Sequence, residues 1–406
     1  MELIAGFLRR ISEDCNRGKM RILQVNDTTE KYGGAEVYVH NLLKLLRDNG
    51  HKVEIFGSEK FQNKLSFITR FYDPFIYFKF SKKIKEFKPD IIHCHNICRT
   101  ISPSVLHAAK KHKIPIVMTV HDFHLICPKT WFIYKDGKLC KYGFGWRCLF
   151  SNCHTFKRGW KYFIYHLFKI LKVWLHRKII RNNINIFITP SKILGEWIKK
   201  SLDIKNIKTV PNFIDISNIK YTPIKDTKNI LYVGRLSKEK GLEYLIKAMP
   251  VILDKIPDSK LIIVGRGPEK EKLERLSQTL KIERKIMFRG YASKKKLIKY
   301  YQDSEIVVVP SNWAENFPLV TLEAMAYGRP IIVSDIFGLS ERIKNNDVGF
   351  LFNPADPKDL ADKIINLLSD FNLAKKMSKN ARKKVEKEYS SERHYKELMK
   401  VYRGLL

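Results

Sequence analysis

Apolar residues recur along this chain in two rhythms. Short unbroken runs rich in Val, Ile and Leu read as buried strands, and the stretches between them space their apolar residues three and four apart, as one face of a helix does. The first strand is Arg21-Ile22-Leu23-Gln24-Val25-Asn26, directly behind Met20, which leaves residues 1–19 as an extension outside the core. A loop with Gly33-Gly34 follows. Then comes a predicted helix from Ala35 to Asn49, whose Val39, Leu42, Leu43 and Leu46 share a face and which Gly50 stops. The pattern repeats through Val53–Phe56, Ile91–Cys94, Ile116–Val120 and Ile186–Thr189. Strands alternating with helices predict a parallel, doubly wound sheet.

A second set of runs covers Ile230–Val233, Leu261–Val264, Ile286–Phe288, Ile306–Val309, Ile331–Val333 and Gly349–Phe352. Between the sets lies a polar stretch with Pro211 and Pro223. The expected organisation is α/β: an extension over 1–19, a Rossmann-like domain over 20–204, a connection over 205–228, a second Rossmann-like domain over 229–385, and a C-terminal helix over 386–406 that packs back on the first domain. Doubly wound sheets bind ligands beyond the carboxyl ends of their strands, so two of them facing each other enclose a cleft lined by those loops.

A length of 406 residues suits two such cores, and 44% hydrophobic with 12% aromatic residues excludes a disordered or fibrous chain. The formal charge of +35 calls for an anionic partner: nucleic acid, a nucleotide or a membrane face. No apolar run is long enough to span a bilayer, and the opening MELIAGFLRR lacks the features of a secretory signal, so a cytoplasmic location is expected. Seven Cys in a chain this long do not read as a secreted disulfide framework.

The charged groups sit behind strands of the second set. Val233 runs into Gly234-Arg235-Leu236-Ser237-Lys238-Glu239-Lys240-Gly241, where glycine lets the backbone approach a ligand and the cations suit a diphosphate. Val309 leads to Pro310-Ser311 and then to Glu315-Asn316-Phe317-Pro318-Leu319-Val320-Thr321-Leu322-Glu323-Ala324-Met325-Ala326-Tyr327-Gly328-Arg329-Pro330. Two glutamates eight apart straddle a predicted helix start. Carboxylates accept several hydrogen bonds from sugar hydroxyls, and a helix N-terminus between them would hold a phosphate.

This segment resembles the E-x7-E signature of the group 1 family of retaining glycosyltransferases (glycosyltransferase family 4, GT-B fold). Further landmarks of that family occur in order: Gly33-Gly34-Ala35-Glu36, Thr119-Val120-His121-Asp122, Pro190-Ser191, Val210 to Asp215, Gly234-Arg235, Gly265-Arg266-Gly267-Pro268 and Gly290-Tyr291. The resemblance implies a retaining, metal-independent hexosyltransferase that takes a UDP- or GDP-sugar to a lipid-linked or polysaccharide acceptor. His121, Arg235, Lys240 and Glu315 would be its catalytic residues. Gly33, Gly34, Gly234, Gly265, Tyr291, Asn316, Phe317, Leu319, Val320 and Glu323 would surround the donor. No Asp-x-Asp triplet occurs, so no cofactor is expected for catalysis. The family usually has glycine where Asn316 and Pro318 stand here, and Pro318 has no N–H to donate. A sugar-nucleotide 2-epimerase of the same architecture, or a non-enzymatic membrane or nucleic-acid binder, are the alternative readings. Glu315, Glu323, Arg235 and Lys240 argue against the last, and no nucleic acid partner is expected.

Three features lie outside that pattern. His93 and His95 read as structural residues of a buried strand. Cys127, Cys140, Cys148 and Cys153 are clustered, without C-x2-C pairs, and are candidates for a structural zinc, with free thiols, disulfides or an iron–sulfur site as alternatives. From Gly137 to Pro190 there is no Asp or Glu, while Lys and Arg alternate with residues such as Trp160 and Trp174. That composition reads either as a solvated helix face or as a surface for an anionic membrane.

Overall fold

The computed structural model describes residues 18–30, 33–58, 71–128, 140, 143–149, 159–343 and 347–406. They form two six-stranded parallel sheets. The first has β1 (Arg21–Thr28), β2 (Lys52–Ser58), β3 (Ile91–Cys94), β4 (Ile116–Thr119), β5 (Ile186–Thr189) and β6 (Ile207–Thr209), in the order β2-β1-β3-β4-β5-β6. Around them lie α1 (Gly34–Asp48), α2 (Pro74–Phe87), α3 (Ser104–Lys111), α4 (Gly159–Asn183) and α5 (Lys192–Leu202). The second sheet has β7 (Asn229–Val233), β8 (Lys260–Val264), β9 (Ile286–Gly290), β10 (Ile306–Val309), β11 (Ile331–Ser334) and β12 (Gly349–Phe352), in the order β12-β11-β10-β7-β8-β9. Its helices are α6 (Leu242–Lys255), α7 (Lys270–Thr279), α8 (Lys294–Asp303), α9 (Leu319–Ala326), α10 (Pro357–Ser369) and α11 (Phe371–Glu388), and the chain ends in α12 (Ser391–Arg403).

Every strand expected from the apolar runs is present. The addition is β6, which lies within the stretch read as interdomain connection and pairs with β5. Its three residues are half-buried or exposed, so they carry no apolar run, and pairing to β5 is what makes them a strand.

The helix ends follow local chemistry. Asp73 caps α2 by accepting from Ile76 N at 3.1 Å with Pro74 behind it, and Ser191 caps α5 by accepting from Leu194 N at 3.3 Å. The last helix returns to the first sheet, burying Leu398, Met399, Val401 and Tyr402 against Ile22, Tyr38, Val39 and Leu42. A fully buried Leu contributes about 1.5–3 kcal/mol, so this strap is held firmly. Apolar contact also joins the two halves, with Phe123 edge-on to Phe337 at 4.8 Å between centroids.

Strand order decides where a ligand can sit. In each sheet the chain starts near the middle, builds one side and then the other, so the direction reverses between β1 and β3 in the first and between β7 and β10 in the second. Loops leaving neighbouring strands at such a point part to opposite faces and open a crevice. The charged loops after β7 and β10 flank the second of these points.

Candidate active site

Gly241 ends the 3-10 turn Lys238–Lys240 at φ +66, and Pro310 O is so close that a Cβ there would lie 1.9 Å from it. Only glycine fits. With Asn312 N donating to Glu239 O at 3.1 Å, the loop after β10 is pressed onto the loop after β7. Lys240 Nζ thereby donates to Glu315 Oε1, which also accepts from Ser311 Oγ at 2.8 Å. Glu315 is 7% exposed. Burial alone would push its carboxyl up, but the Lys240 ammonium and the Ser311 hydroxyl outweigh burial and hold it below the usual range. The pair is therefore ionised.

Glu323 lies in α9 under different conditions. Its Oε2 accepts from the Tyr301 hydroxyl at 2.7 Å, and burial pushes its carboxyl up in spite of that bond. No other bond reaches its side chain among the described residues, so Oε1 remains for a ligand. α9 opens on Pro318 without a side-chain cap, which leaves the leading amides of Leu319 and Val320 without a side-chain acceptor. Arg235 is exposed, and its carbonyl is fixed by the Tyr232 hydroxyl at 2.8 Å. Gly265, at φ +150, lets the loop after β8 touch the loop after β7, since a Cβ would meet Gly234 O at 1.8 Å. Tyr291 is 73% exposed, with the Arg266 guanidinium 5.9 Å from its ring centre.

Two residues grouped with the donor contacts in sequence do other things here. Asn316 Oδ1 accepts from Ser191 Oγ at 2.5 Å and its Nδ2 donates to His121 O at 3.0 Å, so both ends of the amide join the second half to the first. The Phe317 ring lies 3.7 Å from the Arg342 guanidinium. For these two, the backbone is what remains to meet a ligand.

From the first half, His121 follows β4 and its ring meets Tyr38 edge-on at 5.1 Å. Its Nε2 is 3.0 Å from His95 Nδ1, and His95 Nε2 is 2.5 Å from Gln24 Oε1. Burial pushes His95 well below its ordinary value and takes His121 down to about 4, so both rings are neutral. Gln24 Oε1 can only accept, so His95 carries its proton on Nε2 and accepts at Nδ1 from His121 Nε2–H. His121 Nδ1 is thereby left as an acceptor. His93 joins the same cluster between the Tyr402 hydroxyl at 2.6 Å and the Thr119 hydroxyl at 2.8 Å. His93 and His95 are buried structural residues with partners on both ring nitrogens, and the His95 bond fixes which nitrogen of His121 carries its proton. The signal was available, since His93 on β3 and His95 just past its end are two apart in an extended chain and share a face, and β3 pairs with β4. Gly33 and Gly34 open α1 at the surface, and a Cβ on Gly34 would meet nothing within 4 Å.

Of the clustered cysteines, Cys127, Cys140 and Cys148 are half-buried and Cys153 lies outside the described residues. No group of three or more metal-ligating side chains gathers among the described residues. The basic helix α4 buries Ile170, Ile179 and Ile180 and turns Trp160, Tyr165, Leu171 and Trp174 outward. Among the described residues no helix is long and apolar enough to cross a membrane.

A family model for glycosyl transferases group 1 matches residues 215–384, and one for glycosyltransferase family 4 matches residues 32–218. The chain is 30% identical over 322 residues to an uncharacterized glycosyltransferase of Methanocaldococcus jannaschii, covering 78% of this chain and 75% of that one. It is 30% identical over 182 residues to the alpha-D-kanosaminyltransferase of Streptomyces kanamyceticus, covering 45% of this chain and 47% of that enzyme, about half its length. Among solved structures, sucrose-phosphate synthase from Thermosynechococcus elongatus superposes with a TM-score of 0.70 at 20% identity over 95% of this chain and 98% of that one. Anabaena HepE does so at 0.69 and 18% identity over 95% and 100%. At these identities the two structures share the fold.

Proposed function

The chain belongs to the glycosyl transferases of group 1, and from that membership we propose that it moves a hexosyl unit from a UDP- or GDP-sugar to a lipid-linked or polysaccharide acceptor, with retention of configuration and without a metal. The observation that carries this reading is the ionised Lys240–Glu315 pair at the reversal point of the second sheet, facing the neutral His121 of the first through Asn316. HepE was crystallised with UDP and with UDP-glucose, which supports a nucleotide-sugar donor here.

In this reading Arg235 and Lys240 receive the negative charge that grows on the departing diphosphate. Glu323 holds the ribose hydroxyls through its open oxygen. Glu315, aligned by Lys240 and Ser311, accepts from hydroxyls of the donor sugar. His121 presents Nδ1 as a neutral acceptor to the reacting sugar, and the departing phosphate takes the proton of the attacking hydroxyl on the same face. A thermal-shift screen of UDP- and GDP-sugars tests donor binding: a ligand at 100 times its Kd stabilises by about 2.7 kcal/mol. Transfer followed by NMR should then give a product with the donor's anomeric configuration, in EDTA as in magnesium. No shift with any sugar nucleotide, an inverted product, or full dependence on added magnesium would each remove the corresponding part.

We further propose that the enzyme works at the inner face of an anionic membrane. Trp160 and Trp174, 73% and 55% exposed on α4, and Phe75 and Phe78 on α2 supply apolar anchors, with Lys169 and Lys178 on α4 as cations. Sedimentation with phosphatidylglycerol vesicles at low salt, lost on Trp160→Ala with Trp174→Ala, is the expected result; no sedimentation of the wild type would make α4 part of the fold alone.

A further inference from the structure

A cavity of about 250 Å³ lies at the strand ends of the first half, lined by Cys98, Asp122, His124, Cys127, Lys172 and His176 among others. Asp122 directly follows His121, yet none of these side chains takes part in the sugar chemistry above.

Cys98 is braced from behind. The Asp27 carboxylate accepts from the backbone amides of Cys98, Arg99, Thr100 and Ile101 at 2.8 to 3.2 Å, and Lys172 Nζ donates to Cys98 O at 2.7 Å. Across the cavity, Asp122 Oδ1 accepts from His124 N at 2.9 Å and from His124 Nδ1 at 2.5 Å, while Arg99 lies 3.6 Å from Oδ2. His124 Nε2 is buried and has no hydrogen-bond partner among the described residues. Cys98 and His176 line the same cavity as this ring, close enough for the three groups to feel one another's charge. Burial would lower His124, but Asp122 outweighs burial and takes it up to about 10. Burial would likewise raise the Cys98 thiol, but His176 and His124 bring it down to about 6.

We propose that Cys98, His124 and Asp122 form a nucleophilic thiol site, distinct from the sugar-transfer residues, that takes a small soft electrophile of the peroxide class. The Cys98 thiolate attacks one oxygen of hydrogen peroxide, the S–O bond forms as the O–O bond breaks, and the sulfur loses two electrons. The leaving hydroxide takes the Nε2 proton of His124 and departs as water, leaving a sulfenic acid. A low-molecular-weight thiol condenses with it to a mixed disulfide and water, and a second thiol frees Cys98. An ester or thioester fits less well, because the amides that could stabilise an acyl oxyanion are spent on Asp27. Resting on the function proposed above, oxidation beside His121 slows transfer.

The test uses the intact chain and peptide mapping. Iodoacetamide labelling of Cys98 should fall to half near pH 6, where an ordinary thiol does so near 8.5. A low-pKa thiolate is intrinsically less nucleophilic, so the gain over the same cysteine in urea is small at pH 7 and about tenfold at pH 5.5. His124→Gln should return the half-rate pH toward the ordinary value; if that variant fails to fold, the wild-type profile decides alone. A half-rate near 8.5, or a Cys98 labelled only in urea, overturns the site. With peroxide, dimedone should tag Cys98, transfer should drop several-fold and recover with dithiothreitol, and Cys98→Ser should ignore peroxide. Absence of the dimedone tag overturns the chemistry. A tag without change in transfer overturns only the coupling to catalysis, and absence of any transfer at all speaks to the proposed function instead.

Discussion

The two halves face the cleft with opposite kinds of polarity. In the second, charge is paired and ionised: buried Glu315 with half-buried Lys240, and Arg235 exposed beside them. In the first, the histidines packed around His121 are buried and neutral, with burial taking His93 down to about 3 and His121 and His394 down to about 4. Charge stands where a diphosphate would leave with its electrons. In the proposed reaction, neutral imidazoles would stand where a hydroxyl is oriented without a fixed charge competing for it.

The largest effect that would break this contrast is on stability in acid. A histidine that is neutral when folded and titrates at about 6.5 when unfolded contributes stability that is full above pH 6.5 and is lost as pH falls toward its folded value. For the cluster of His93, His95, His121 and His394 the loss between pH 7 and pH 4.5 should be on the order of 5 kcal/mol. Its onset between pH 6.5 and 5.5 precedes carboxylate titration, so thermal melts across that interval isolate it; a flat Tm there would mean the rings are charged in the fold. Next, Lys240→Ala and Arg235→Ala should each lower kcat by about two to three orders of magnitude. Wild-type turnover at saturating donor in either variant would remove the charged side of the comparison. His95→Phe, which frees the proton position of His121, should cost about tenfold in kcat with little change in the donor KM. An equal loss after Tyr72→Phe, whose hydroxyl bonds His107 away from the cleft, would make that effect nonspecific. Smallest, Asn316→Ala strands Ser191 Oγ and His121 O and should lower stability by about 1–2 kcal/mol, read as a urea midpoint shift at constant slope.

The two halves also differed in how much could be read from sequence. Arg235, Lys240 and Glu315 lie within short loops behind strands that apolar runs announce, and Glu323 one turn into the helix that follows, so their grouping follows from local pattern. The contacts of the first half are made between distant segments: Gln24 with His95, His93 with Tyr402, Ser191 with Asn316. No periodicity marks such pairs, and β6 was missed for the same reason, since its partner rather than its own residues makes it a strand. Cys98 carried no motif at all. Its neighbours are set by the turn that four amides make around Asp27.

The chain passes between the halves twice, and the two passages touch: Ile214 N donates to Tyr389 O at 3.0 Å, and Ile214 pairs with Ser390. Two bodies joined at one point can swivel about three axes. Joined along a short double line, they keep one easy motion, a rotation about that line. Opening then lengthens distances in proportion to their separation from the axis, so the bonds of Asn316 across the cleft part while those of His394 to Pro211 and Tyr38, close to the axis, persist.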